Sequence, residues 1–180
     1  MKTLAKSAHT PTTSRASVKG NRGFKVVKHI TINRPVPELF SFWRNFENLP
    51  RFMKHLEAVI VRDARYSHWK ARAPLGKSVE WDAEIINEHP DSLIAWRSCE
   101  GADVPNAGSV RFQAAPAGRG TEVVVALEYI PPAGRLGKLV AKLWSEEPEQ
   151  QVADDLRRFK WIMETGEIPT IEGQPRGAAL

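Results

Sequence analysis

The sequence predicts an α+β fold in which a curved, seven-stranded antiparallel sheet grips one long C-terminal helix, with two short helices after the first strand. Three observations carry this expectation. A stretch of period-two alternation stands ahead of a proline-punctuated apolar segment, six further strand-like runs follow with only turn residues between them, and a long segment with helical periodicity comes last. Strands in such close succession leave no room for the crossover helices that parallel pairing needs.

The elements follow in order. Phe24, Val26, Ile30 and Ile32 alternate with Lys25, His29 and Thr31, the pattern of a half-buried strand. Two prolines in "NRPVPELFSFWRNFENLPRF" stop it. Pro37 suits the first turn of a helix carrying Leu39, Phe40, Phe42 and Trp43, and a second helix from Phe46 to Met53 is kept short by Pro50. "AVIVRDARYSHWKARAPLG" gives two strands turning near Asp63 and Ala64 and ended by Pro74 and Gly76. In "KSVEWDAEIINEHP", Val79, Trp81, Ala83 and Ile85 share one face while Glu80, Asp82 and Glu84 share the other. "LIAWRSCE", "AGSVRFQAAPAGRG" and "TEVVVALEYIPP" complete the strands. In the last, Val123, Val125, Leu127 and Tyr129 lie opposite Glu122 and Glu128.

From Pro131 to Gly166 the chain reads as a two-part helix broken at Glu146-Glu147-Pro148. Its first part carries Leu136, Leu139, Val140, Leu143 and Trp144. In its second part Val152, Leu156, Phe159, Trp161, Ile162 and Met163 form a stripe, with Asp154, Asp155, Arg157, Arg158 and Lys160 off it. Such a stripe must lie on a face of the sheet. A strongly curved sheet holding one long helix does not close tightly in its middle, so a hollow is expected between them.

Composition bounds the rest. With 180 residues, 42% of them hydrophobic, the chain builds one core: a domain over 24–168, a disordered basic tail over 1–23 and a C-terminal extension over 169–180. The net charge of +5 belongs mainly to the tail. Eight of the 26 Lys and Arg precede any acid, leaving 18 bases against 21 acids. The tail serves as a solubilising arm or makes weak contact with an anionic membrane or nucleic acid. No apolar run suits a membrane span and no secretory signal stands at the N-terminus, so a cytoplasmic location is expected. The single cysteine, Cys99, excludes a disulfide framework.

No dinucleotide or P-loop glycine motif, nucleophile elbow or metal-binding histidine spacing occurs, so neither cofactor nor metal is expected. His29, His68, His55 and His89 fall on outer faces or near turns. Glu80, Asp82 and Glu84 read as a solvated outer row beside Lys77 and Arg97.

"ITINRPVPELFSFWRNFENLPRFM", "WDAEIINEHPDSLIAWRS", "NAGSVRFQAAPAGRGTEVVVALEYIPPAG" and "EEPEQQVADDLRRFKWIMETGEIPT" resemble, in this order, the polyketide cyclase/dehydrase group, including its coenzyme-Q-binding START-type members. The similarity covers roughly Phe24 to Pro175. It implies the helix-grip fold of the START/Bet v1-like (SRPBCC) superfamily and a cavity for an apolar or amphipathic molecule such as a lipid, a quinone or a polyketide. It does not imply one reaction, since some members cyclise polyketides and others bind and carry ligands.

Alternation places Trp69, Trp81, Ala83, Ile85 and Val110 on the inner wall of the sheet, together with Phe112, Val125, Leu127 and Tyr129. Leu139, Leu143, Val152, Leu156 and Phe159 supply the helical wall. Each of these also fits plain core. Two weak catalytic candidates stand out. The phenol of Tyr129 reaches either a ligand carbonyl or water, and Arg97 enters the hollow only if Leu93 and Ala95 face inward. The opposite phase, with Ile94, Trp96 and Ser98 inward, is preferred because it leaves Arg97 outside. Three functions follow: hydrophobic-ligand binding, a cyclase/aromatase-type enzyme, or an interaction module working through the basic tail.

Overall fold

A computed structural model describes residues 24–73, 76–130 and 148–168. The basic tail, the C-terminal extension and the first part of the expected long helix, with Leu139 and Leu143, lie outside the described residues. In chain order come β1 (Phe24–Ile32), α1 (Val36–Arg44), a 3-10 turn (Phe46–Arg51), β2 (Leu56–Val61), β3 (Tyr66–Ala73), β4 (Lys77–His89), β5 (Leu93–Ser98), β6 (Asn106–Ala114), β7 (Thr121–Tyr129) and α2 (Pro148–Thr165). The seven strands form one antiparallel sheet in the order β1-β7-β6-β5-β4-β3-β2. β2 to β7 make a meander, and β1 pairs with β7, so the chain crosses from one edge of the sheet to the other through α1 and the 3-10 turn.

Local chemistry fixes these boundaries. Pro37 sits in the first turn of α1, where its missing N–H costs nothing. The carboxylate of Asp63 accepts from the backbone N–H groups of Arg65 (2.7 Å) and Tyr66 (2.8 Å), closing the β2–β3 turn. Pairing registers slip between Leu56 and Ala58 and between Ile85 and Asn87, and such bulges bend the strands that carry them.

The concave face of the sheet is filled largely by aromatic rings. α1 and the residues after it deliver Trp43, Phe46 and Phe52, and α2 delivers Phe159, all four essentially inaccessible to solvent. Trp43, Phe52 and Phe159 meet with ring centroids 4.9 to 5.2 Å apart. Phe46 meets Trp69 at 5.4 Å and Trp96 at 5.9 Å. Arg34 fastens the end of α2, donating from Nε to the Met163 carbonyl (2.8 Å) and from Nη2 to that of Glu164 (2.9 Å). Those carbonyls have no partner within the helix, and a cation at a helix C-terminus also meets the favourable end of its dipole.

Two details of the helical stripe differ from the sequence reading. Asp155, assigned to the solvent side, is buried at 4% exposure, whereas Trp161, assigned to the stripe, is 40% exposed. Val152, Asp155, Leu156, Phe159, Ile162 and Met163 follow the three-and-four spacing of one helical face, and position 161 lies off it.

Gly108 on β6 sits opposite Trp96 on β5. A Cβ there would lie 2.4 Å from Trp96 Cζ2 and 2.8 Å from Leu127 Cδ2, so the indole rests on a bare backbone. Gly108→Ala is expected to lower unfolding free energy by about 1–3 kcal/mol, the usual cost of overpacking. Trp96→Phe in the same chain should recover part of that loss, measured by the denaturant midpoint.

Candidate functional site

The hollow lies between the middle of the sheet and the first turns of α2. Its floor is Trp69, Trp81 and Trp96 on three adjacent strands, with Val125 and Leu127 beside them. Trp69 stacks on Trp81 (6.0 Å) and on Trp96 (6.2 Å). Trp43, Phe52, Met53 and Leu56 form one wall, and Gln151, Val152, Asp155 and Leu156 of α2 form the other. Among the described residues the void is about 40 Å³, room for a few waters. Binding pockets for drug-sized molecules run from about 300 Å³ upward. The middle therefore closes more tightly than the sequence suggests, because α1 and its following turn wedge rings into the gap.

One corner of this apolar hollow is polar. Asp155 projects inward from α2 and forms an ion pair with Arg158 one turn later. His55, just before β2, brings Nδ1 to 3.5 Å from the other carboxylate oxygen. Arg158 also donates from Nε to the Phe52 carbonyl (2.7 Å), and Arg72 N–H donates to the His55 carbonyl (2.9 Å). The segment from Phe52 to His55 is thus tied to both α2 and β3.

Burial decides the protonation states. It raises Asp155 to about 7, against the pull of Arg158. His55 is lowered to about 4, again first by burial and then by the Arg158 charge. Two titratable groups pushed apart by their surroundings form a candidate acid/base pair.

The sequence-predicted residues divide. Trp69, Trp81, Val125, Leu127, Val152 and Leu156 line the hollow. Ala83, Ile85, Val110, Phe112 and Tyr129 share the inner face without lining it, and Phe159 is occupied by Trp43 and Phe52. Tyr129 stacks on Phe24 (5.6 Å), and burial pushes its phenol above the ordinary value. Arg97 is on the outer face, bound through Nε to Glu84 (2.7 Å). Neither weak catalytic candidate belongs to the hollow.

The outer carboxylates are paired rather than simply solvated. Glu80 meets Lys70 (3.2 Å), Asp82 meets His68 (2.8 Å) and Glu84 meets Arg65 (3.0 Å) as well as Arg97. A larger depression of about 590 Å³ opens beside Arg97, Glu84 and Cys99, but it is a broad surface trough in which Arg97 is already paired with Glu84. Sequence reasoning missed Trp43, Phe52, Met53, His55, Leu56, Asn106, Gln151 and Asp155 as lining. For Asp155 the signal was present, since it falls at a stripe position. Among the described residues no group of three or more His, Cys, Asp or Glu side chains is arranged to hold a metal ion.

Residues 32–157 match the family described as polyketide cyclase / dehydrase and lipid transport. The chain belongs to that family. It is 29% identical over 158 residues to an uncharacterized 17.2 kDa protein of Streptomyces lincolnensis encoded in the melC2-rnhH intergenic region, a match covering 87% of this chain and 99% of that one. The crystal structure of DR_A0006 from Deinococcus radiodurans matches with 41% identity and a TM-score of 0.66, covering 80% of this chain and 99% of that one. The Zhui aromatase/cyclase from Streptomyces sp. R1128, at 13% identity and a TM-score of 0.60 over 82% of this chain and 100% of that one, shares the helix-grip fold. No helix among the described residues is long and apolar enough to cross a membrane.

The pair's two shifts oppose each other in stability. Asp155 binds its proton more tightly folded than unfolded, so its contribution is full below about pH 4 and is lost as pH rises to about 7. His55 binds its proton less tightly folded, so its contribution is present above about pH 6.5 and is lost as pH falls to about 4. Between these limits the two slopes nearly cancel in the native chain. His55→Gln should unmask a stability that falls from pH 4 to 7, and Asp155→Asn one that falls on acidification below pH 6.5, each change being on the order of 3 kcal/mol. Denaturant midpoints measured across this range check the prediction.

Proposed function

We propose that this protein binds a hydrophobic or amphipathic small molecule, of lipid, quinone or polyketide-like character, in the hollow between the sheet and α2. The observation that supports this most is the hollow itself, an aromatic floor meeting one polar corner between the sheet and α2. Its small volume asks the walls to give way. Met53 and Gln151 are the unbranched side chains with the freedom to do so.

A second reading, an enzyme of the cyclase/aromatase kind, is favoured by the His55 and Asp155 pair. An acid that is half protonated near neutral pH beside a neutral imidazole suits proton transfer to and from a ligand carbonyl. Binding without turnover needs no such pair. The two readings separate on Asp155→Asn, which should abolish turnover of a poly-β-ketone substrate in the enzyme and leave ligand affinity within a few-fold in the carrier.

Binding is tested by thermal denaturation against short-chain quinones, fatty acids and bicyclic ketones. A ligand present at a hundredfold excess over its Kd should stabilise the fold by about 2.7 kcal/mol. Val152→Phe, which fills the hollow from α2, should remove that stabilisation while the ligand-free protein still unfolds cooperatively. No shift with any of these ligands, together with no bound molecule in native mass spectra of the purified protein, overturns the reading.

A further inference from the structure

Of the four indoles lining the hollow, Trp69 has its N–H engaged, donating to the Ser67 hydroxyl at 2.8 Å. The Nε1 atoms of Trp43 and Trp81 are buried and have no hydrogen-bond partner among the described residues. Both side chains are more than nine-tenths buried, Trp43 at 0% and Trp81 at 6% exposure. Native interiors seldom leave such donors unmatched, and where they do the missing partner is often a water or a ligand. Both tryptophans line the same hollow.

We propose that the indole N–H groups of Trp43 and Trp81 read the ligand, and that the hollow takes a neutral, flat molecule presenting carbonyl or ether oxygens to them. This rests on the binding function above and adds the ligand's chemistry. The floor suits a ring system, since Trp69, Trp81 and Trp96 lie within 22° of parallel in their two stacked pairs. Neutrality follows from the charges present. Among the described lining residues only His55 and Asp155 are ionisable, His55 is uncharged above about pH 4, and the Asp155 carboxylate is already held by Arg158. An anionic headgroup would find no cation in the wall, and the carboxylate would repel it.

The test compares 1-tetralone, its hydrocarbon counterpart tetralin, and 2-naphthoate on the full chain. The indole 1H–15N signals of the six tryptophans are assigned with single Trp→Phe variants. Tetralone is expected to move the Trp43 or Trp81 signal downfield, and tetralin to bind without that shift. Trp43→Phe and Trp81→Phe should each reduce the preference for tetralone over tetralin about fivefold, the worth of one net hydrogen bond. At pH 8, 2-naphthoate should bind at least about tenfold more weakly than tetralone. Bound tetralone that leaves both indole signals in place, or a water retained on both N–H groups in the complex, overturns the assignment of the donors. Equal binding of 2-naphthoate overturns the neutrality. Failure of tetralone and tetralin alike to bind overturns the binding function itself, an outcome distinct from the others. The wild-type spectra decide the matter even if a variant does not fold.

Discussion

The packing of Trp43, Phe52 and Phe159 governs this molecule. These rings come from α1, from the segment after it and from α2, three parts of the chain that the sheet alone would not bring together. Each ring buries a large apolar surface and locks the others at a fixed spacing. The height of α2 above the sheet is therefore set by ring thickness, and with it the volume left over. The modest void is a direct outcome of this choice.

The same packing explains why a carboxylate is tolerated inside. Asp155 occupies a stripe position of α2 where an apolar side chain would ordinarily sit, so the helix cannot turn it outward without exposing Leu156 and Phe159. Its charge is instead managed locally. Arg158 neutralises it, and the Arg158 guanidinium is in turn anchored by the Phe52 carbonyl at 2.7 Å. Removing one partner from such a group leaves an uncompensated polar atom in a poor solvent, a larger loss than the group's net worth when paired. The aromatic trio and the polar corner thus share Phe52, and a disturbance of either is felt by both.

How much of this was legible in the sequence follows from the range of each signal. Strand faces were readable because alternation is local and survives without knowledge of neighbours. Trp69, Trp81, Val125 and Leu127 all came from it, and the antiparallel order came from the shortness of the connections. The lining from α1 to β2 was not readable in this way. Trp43, Phe52 and His55 sit on a short helix and an irregular segment whose side-chain directions depend on how the chain crosses the sheet, a tertiary fact with no period of its own. Asp155 was misplaced for a different reason. Its charge points outward by residue type, while its helical spacing points inward. Burial of a charge is decided by the partner that accompanies it, and Arg158 stands one turn along.

The direction in which the hollow yields is also set by this construction. Its floor is held by cross-strand register, Trp69 facing Trp81, and by Phe46 packed against Trp69 and Trp96. Moving any of these rings would break sheet packing on several strands at once. Among the described residues the wall formed by Met53 and Gln151 carries no such ring contacts, both side chains being unbranched and Gln151 only partly buried in the first turns of α2. Enlargement therefore runs along the seam between the segment after the 3-10 turn and the start of α2, past His55 and Asp155. On the proposed binding function, a guest entering by that seam meets the titratable pair before the tryptophan floor.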